Sequence, residues 1–461
     1  MNTQSPFDYH GKRVLVVGMA RSGVDASRLL LRLGAFPLLN DRKNREALGD
    51  QLACLEGTRA EWHLGEDPVP LLDGADALLI SPGVPIDAPV VLEAQKRGLY
   101  TIGELEFAFQ QAQGVMIGIT GTNGKTTTVT LLGEILKAAG HTAYVSGNIG
   151  LPLSQTAMQS RPGDMLVTEI SSFQLESIDT FHARVSAVLN VTEDHLIRHY
   201  TMDNYIAMKR RVFNRQTAED VAVLNADDPI CVRMAEGLPA RVAWFSRRRG
   251  DLPGAFVRDG EIVIRWDGKE TAICPAKDVY IPGPHNLENA MAAAMTAFAL
   301  GVPAGVIAQT LRTFRGVEHR IEYVATVDGV RYINDSKGTN ADSTIKAIDT
   351  MTAPTVLILG GYDKHVSFAE LARHIAESPQ IDRLVLLGAT ADQLEKELRA
   401  AGVARILRAA SFEEAVSLSR QSAQAGGCVL LSPACASFDM FTCFEERGER
   451  FKELVRKMVR A

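Results

Sequence analysis

The stretch Val115-Met-Ile-Gly-Ile-Thr-Gly-Thr-Asn-Gly-Lys-Thr126 decides how this chain is read. An apolar run, Met116 to Ile119, leads through a glycine-rich turn into a helical pattern. Glycines in such a turn let backbone N–H groups approach phosphate oxygens. Lys125 brings positive charge to the β- and γ-phosphates, and the Thr126 hydroxyl at the helix start reaches Mg2+. The spacing is not the strict G-x-x-x-x-G-K-[ST] pattern, whose first glycine would fall at Ile119. An ordinary glycine-rich turn is the competing reading; Lys-Thr at the helix start favours phosphate.

Outward from this turn, short Val/Ile/Leu runs alternate with longer helical patterns, the signature of parallel sheets built from βαβ units. At roughly 150 residues per domain, 461 residues suggest about three domains. The blocks are 1–104, 105–316 and 317–461. Strand patterns fall at 14–17, 37–41 and 77–80 in the first, and at 116–119, 165–170, 185–191 and 221–225 in the second. In the third they fall at 330–333, 356–359, 384–387 and 428–431. A helix is predicted from about 286 to 300, and Arg247-Arg-Arg249 with the following Gly/Pro run reads as a solvated loop. The fold class is α/β in three domains: Rossmann-like, then a central P-loop-type ATPase domain with a mostly parallel sheet, then Rossmann-like again.

Carboxyl ends of parallel strands share one edge, and ligands bind there. Glu169 ends the strand at 165–169, and His195 follows the strand at 185–191, so both are expected to face the phosphate turn. Mg2+ prefers oxygen ligands, and Glu169 with Thr126 suits it. In the third block Asn334-Asp-Ser-Lys337, Gly360-Gly-Tyr-Asp-Lys364 and Ser432-Pro-Ala-Cys-Ala-Ser437 each follow a strand, which predicts a crevice with cations for an anionic substrate. Solvated surface lysines are the bland alternative. In the first block Gly18-Met-Ala-Arg-Ser-Gly23, with Asp41 and Arg42 after the next strand, reads as a nucleotide or nucleotide-sugar site or as a tight turn with no ligand.

Composition excludes several classes. Forty-nine basic against 55 acidic side chains give a net charge of −6, which argues against a nucleic-acid partner. Six scattered cysteines without a C-x-x-C pair suggest neither a zinc site nor a disulfide framework, but reduced cytosolic thiols. Apolar runs are too short for a signal peptide or a membrane span, so a cytoplasmic protein without membrane insertion is expected.

Taken in order, Thr120-Gly-Thr-Asn-Gly-Lys-Thr126, Gly147-Asn-Ile-Gly150, Glu169-Ile-Ser-Ser-Phe-Gln-Leu-Glu176, Asn190-Val-Thr-Glu-Asp-His195, Gly283-Pro-His-Asn-Leu-Glu-Asn289 and His319-Arg320 resemble the ATP-dependent Mur ligases of peptidoglycan synthesis across essentially the whole chain. Asn334-Asp-Ser-Lys337 and Leu431-Ser-Pro-Ala-Cys-Ala-Ser437 are most similar to the branch that adds D-glutamate to UDP-N-acetylmuramoyl-L-alanine; the Asp-Asn-Pro-Arg motif of the diaminopimelate- or lysine-adding branch is absent. The resemblance implies an ATP-dependent, ADP-forming amide ligase acting through an acyl phosphate, a monomer serving cell-wall growth and hence cell shape and division.

It also implies roles. Gly121, Thr122, Asn123, Gly124, Lys125, Thr126 and Thr127 would hold ATP phosphates, and His285, Asn286, Asn289, Arg320 and Asp335 the rest of the nucleotide. Arg21, Ser22, Asp41, Arg42, Ser81 and Gly83 would hold the UDP portion, with Asn148 and Ser171 on the muramoyl-alanine. Thr126 and Glu169 would bind one Mg2+; His195 and Lys209, the latter as a CO2-derived carbamate, a second. Lys337, Thr339, Lys364, Ser437, Phe438 and Phe444 would receive D-glutamate. Two positions depart from the family: Ile197 stands where Asp is common, and Gly338 where Ala is usual, which reads as a looser turn.

Rival readings are a Mur-type ligase for another amino acid, a dinucleotide-dependent oxidoreductase suggested by 14–23, and a nucleotide-binding switch protein. The oxidoreductase leaves Lys125-Thr126 and the third block without a role, and the switch protein needs no further substrate crevices.

Overall fold

The computed structural model of the chain describes residues 6–363 and 366–459, so Lys364 lies outside the described residues. The first sheet has strands β1 (Arg13–Val17), β2 (Phe36–Asp41), β3 (Glu61–Leu64), β4 (Ala77–Ile80) and β5 (Tyr100–Gly103) in the order β3-β2-β1-β4-β5, all parallel. β1 and β4 are buried on both faces, as a doubly covered parallel sheet requires.

The second sheet begins with β6 (Val115–Thr120), β7 (Ala143–Gly147), β8 (Met165–Glu169), β9 (Val185–Val188), β10 (Val221–Asn225) and β11 (Arg241–Ser246). It continues through β12 (Gly254–Arg258), β13 (Glu261–Trp266) and β14 (Lys269–Pro275), in the order β14-β13-β12-β11-β10-β9-β6-β8-β7. It is parallel from β7 to β12, and β13 and β14 add an antiparallel edge. The sequence reading did not anticipate this edge. Its signals are Asp259-Gly260 and Asp267-Gly268, two Asp-Gly pairs in which all four residues have positive φ, the pattern of tight hairpin turns.

The third sheet comprises β15 (Glu322–Val327), β16 (Val330–Asn334), β17 (Thr355–Leu359), β18 (Ile381–Leu386), β19 (Ile406–Arg408) and β20 (Cys428–Leu431), in the order β15-β16-β20-β17-β18-β19. Only β15 runs antiparallel. Helices cover these sheets; the one predicted from about 286 spans Pro284–Ala299, and 247–253 is a loop.

Contacts divide the chain into two compact units, Met1–Val279 with Glu288–Phe314, and Tyr280–Leu287 with Arg315–Ala461. The first unit holds two sheets because the helix Glu104–Gln111 joins them. The Glu106 carboxylate is buried and accepts from the backbone N–H groups of Asp179, Thr180 and Phe181 at 2.9, 2.9 and 3.0 Å, and from the Thr180 hydroxyl. Glu104, also buried, accepts from the Ser154 N–H at 3.0 Å and its hydroxyl at 2.6 Å. Among the described residues, no helix is long and apolar enough to cross a membrane.

Candidate active site

The phosphate turn sits at the carboxyl end of β6, between β8 and β9. Gly124 takes φ +85° at the N-terminus of the helix Lys125–Ala138, and a Cβ there would lie 2.2 Å from Asn289 Oδ1, so both conformation and space demand glycine. Lys125 Nζ donates to the carbonyls of Gly121 and Thr122 at 2.8 Å each. Thr122, Asn123, Thr126 and Thr127 are buried around it.

Neighbouring strands lock this turn. β9 ends at Val188 rather than 191, because Asn190 leaves the sheet to bracket Asn123: its Oδ1 accepts from the Asn123 N–H at 2.9 Å and its Nδ2 donates to the Asn123 carbonyl at 3.1 Å. The Thr122 hydroxyl meets the Thr192 carbonyl at 3.1 Å and the Tyr205 hydroxyl at 3.2 Å. These roles of Asn190 and Tyr205 were not read from sequence, where Asn190 falls inside the strand expected over 185–191.

Glu169, at the end of β8 and buried, accepts from the Thr126 hydroxyl at 2.9 Å through one oxygen and from Asn148 Nδ2 at 2.9 Å through the other. A hydroxyl and a carboxylate at a helix N-terminus form an oxygen-donor set of the kind Mg2+ takes. His195 adopts φ +56°, and its ring stands edge-on to Phe173 at 4.8 Å and to Tyr205 at 6.5 Å. Lys209 is buried, donates to the Gly121 carbonyl at 2.8 Å and lies 4.5 Å from the Tyr205 ring centroid. Burial, reinforced by the charge of Lys125, pushes the Lys209 amine well below the ordinary lysine range.

A cavity of about 810 Å³ opens where β1 and β4 part, the switch point of the first sheet. Arg21, Ser22, Asp41, Arg42, Ser81, Gly83 and Asn148 all line it. The Asp41 carboxylate also fixes the glycine turn, accepting from the Met19 N–H at 2.7 Å and the Lys43 N–H at 2.9 Å. Ser171 is not among the lining residues. It caps the short helix Ser172–Leu175, exchanging bonds with Gln174, and Gln174 lines the cavity instead.

In the second unit, β16, β20 and β17 are neighbours, so the three polar turns share one edge. Asp335 is fully buried; one oxygen accepts from Arg320 at 3.3 Å, the other from the Ser432 hydroxyl at 2.7 Å. Burial raises its pKa although Arg320 opposes the shift. Lys337 Nζ lies 4.9 Å from the Phe444 ring centroid, and the Thr339 N–H donates to the Lys337 carbonyl at 2.9 Å. Ser437 is buried while Phe438 is exposed, edge-on to Tyr362 at 6.0 Å. His285 and Asn286 lie in the first turn of the helix Pro284–Ala299 and group with this unit, and Asn286 Nδ2 donates to the Pro282 carbonyl at 2.7 Å. Arg447, which the sequence reading missed, is buried and donates to Ser336 and to the carbonyls of Cys435 and Ala436. It thereby ties two of the three turns together, and burial lowers its pKa to about 10.

Comparisons with known proteins identify the family. Residues 12–103 match the Mur ligase MurD-like N-terminal domain, 119–297 the Mur ligase middle domain and 319–435 the Mur ligase glutamate ligase domain. The chain is 46% identical to the UDP-N-acetylmuramoylalanine--D-glutamate ligase of Pelotomaculum thermopropionicum over 97% of its length and 98% of the relative's. It is 45% identical to the Clostridioides difficile protein of the same name over 98% and 100%. UDP-N-acetylmuramate-alanine ligase MurC from Thermotoga maritima shares the fold, with a TM-score of 0.62 at 16% identity over 97% of this chain and 99% of that one. MurF from Acinetobacter baumannii gives 0.61 at 16% identity over 98% and 92%. The chain belongs to the Mur ligase family, the ATP-dependent, ADP-forming ligases of peptidoglycan precursor synthesis.

Proposed function

We propose that this protein joins D-glutamate to UDP-N-acetylmuramoyl-L-alanine. One run of contacts carries the reading: Asn148 lines the cavity of the first unit and donates to Glu169, which accepts in turn from Thr126 of the phosphate turn. A sugar nucleotide in the cavity would thus present its far end, the alanyl carboxylate, to the γ-phosphate of ATP. The relatives that carry this activity in their names are similar over the full chain.

In this reading Arg21, Ser22, Asp41, Arg42, Ser81 and Gly83 hold the UDP portion, and Asn148 and Ser171 orient the muramoyl-alanine. Gly121 to Thr127 hold the triphosphate, with His285, Asn286, Asn289, Arg320 and Asp335 on the rest of the nucleotide. The alanyl carboxylate attacks the γ-phosphorus, ADP leaves, and Lys125 offsets the charge spread over the equatorial oxygens. Thr126 and Glu169 would hold Mg2+, which when bound neutralises phosphate charge. Lys337, Thr339, Ser437, Phe438 and Phe444, together with Lys364, would receive D-glutamate by charge-assisted hydrogen bonds and apolar contact. Its amine attacks the acyl carbonyl, phosphate departs, a proton is released and the amide remains.

His195 and Lys209 would hold a second ion. A neutral Lys209 amine attacks CO2, a nitrogen–carbon bond forms, one proton leaves, and the resulting carbamate offers two oxygens that share one negative charge, where a protonated amine would repel the ion. The lowered pKa of Lys209 supports this by keeping the amine neutral. We further assign the domains to 1–104, 105–316 and 317–461, supported by the three matched domain models, and place the protein in the cytoplasm as a monomer.

The test is phosphate release measured with UDP-N-acetylmuramoyl-L-alanine and a panel of amino acids. Release that requires both this substrate and D-glutamate is expected. Release with another amino acid in its place would assign a different branch of the family.

A further inference from the structure

The segment 195–200 is held from outside itself. It is a single helical turn, Leu196–His199, bounded by His195 at φ +56° and Tyr200 at φ +65°, both left-handed conformations that side chains with a Cβ rarely adopt. Such a backbone persists only when its surroundings over-determine it.

His199 anchors the turn from within, buried with its Nε2 2.9 Å from the Ser172 hydroxyl, and two further side chains reach from it to the loop 81–87 of the first sheet. The Arg198 guanidinium is forked on the buried Glu176, with Nε 3.0 and 3.1 Å from its two oxygens and Nη2 2.5 Å from one of them. The same Nη2 donates to the Val84 carbonyl at 2.9 Å, and Val84 lines the cavity. The guanidinium carbon lies 5.0 Å from the Phe173 ring centroid, and that ring's neighbour at 4.8 Å is His195. Two residues on, the Tyr200 hydroxyl donates to the Asp87 carboxylate at 2.8 Å. One arginine therefore touches the cavity lip, the acid that ends the Ser171–Glu176 motif, and the ring against which His195 rests.

We propose that Arg198 and Tyr200 are positioning residues that couple the cavity to His195, so that a filled cavity and a correctly placed His195 favour each other. This rests on the reading of His195 as a metal-holding residue and of the cavity as the sugar-nucleotide site. Geometry favours arginine over lysine: a single Nη2 bridges an acid and a carbonyl while Nε holds the acid, which a lysine's point charge cannot reproduce. Coupling of this kind is reciprocal, because the factor by which one ligand tightens the other must be the same in both directions.

The test uses the full chain and Mn2+ as the metal probe, with the free ion counted by electron paramagnetic resonance with and without UDP-N-acetylmuramoyl-L-alanine. In the unmodified protein the substrate is expected to tighten Mn2+ binding by about fivefold or more, the lower end of ordinary coupling. In Arg198→Lys the tightening should fall to within about twofold of none, while the thermal midpoint and the KM for ATP stay close to those of the unmodified protein and the KM for the UDP substrate rises. Tightening in Arg198→Lys equal to that in the unmodified protein overturns the proposal, as does its absence from the unmodified protein. If Arg198→Lys does not fold, Tyr200→Phe carries the same measurement, since it removes only an exposed hydroxyl, and undiminished coupling there overturns the proposal equally. Failure of the underlying reading is separate: an unmodified protein that forms no D-glutamyl product refutes the function, whatever the coupling.

Discussion

Thr126 Oγ1 donates to Glu169 Oε2 at 2.9 Å, joining the first turn of the phosphate helix to the end of a strand 43 residues further on. Both side chains are buried, and Asn148 holds the other oxygen of the acid. Glu169→Gln keeps the shape and removes the charge. Losing several kcal/mol of charge stabilisation during phosphoryl transfer lowers kcat by about 10²–10³-fold. Steady-state kinetics checks this, with binding of the UDP substrate by calorimetry expected to change little.

Lys209 tests the second ion. Because burial and Lys125 hold its amine well below the ordinary range, carbamylation should persist at pH values where a solvated lysine is fully protonated. Protein prepared without CO2 is expected to lose about 10–100-fold in activity and to regain it with bicarbonate. A carbamate carbon signal after addition of 13C-bicarbonate, absent from Lys209→Arg, checks the site.

Much of this arrangement was legible because strand-end positions follow from parallel topology alone. Glu169, Asp335 and Ser432 were placed on their edges by counting strands, and the neighbouring order of β16, β20 and β17 brought the last two within hydrogen-bond distance. What the sequence does not announce depends on distant partners. Arg447 reads as one charge among several on an amphipathic helix, yet it is buried by the carbonyls of 435 and 436. The antiparallel edge of β13 and β14 was missed for a different reason: its Asp-Gly turns were present, but they follow a basic, Gly/Pro-rich loop and no strand pattern was read beyond 225 in this block.

Glu104 gives a pH signature. Burial, only partly offset by the Ser154 donors, raises its pKa above the ordinary glutamate value of 4.5. A raised folded value means that its favourable contribution is fully present below 4.5 and is lost as pH rises through the folded pKa. Glu104→Gln accepts the same two hydrogen bonds without a charge. Its urea midpoint is therefore expected to equal or exceed that of the unmodified protein at pH 8, with the difference shifting towards the unmodified protein as pH falls to 4.5, measured as paired unfolding curves.

Gly338 is a filled position rather than a loosened one. A Cβ there would lie 2.5 Å from Asp335 Oδ2 and 2.7 Å from Ser432 Oγ, across the bond those two make. Gly338→Ala must push the pair apart, at a cost of about 1–3 kcal/mol typical of overpacking. A lower unfolding midpoint checks it, and a weaker response to nucleotide is expected if Asp335 contacts ATP.

The central claim is that ATP activates the alanyl carboxylate for attack by the amine of D-glutamate. The direct measurement is turnover of UDP-N-acetylmuramoyl-L-alanine carrying 18O in that carboxylate, with mass analysis of the phosphate released. One 18O atom transferred to phosphate for each D-glutamyl amide formed is the expected result. Phosphate free of 18O alongside formed amide, or phosphate release that ignores D-glutamate, would contradict the account.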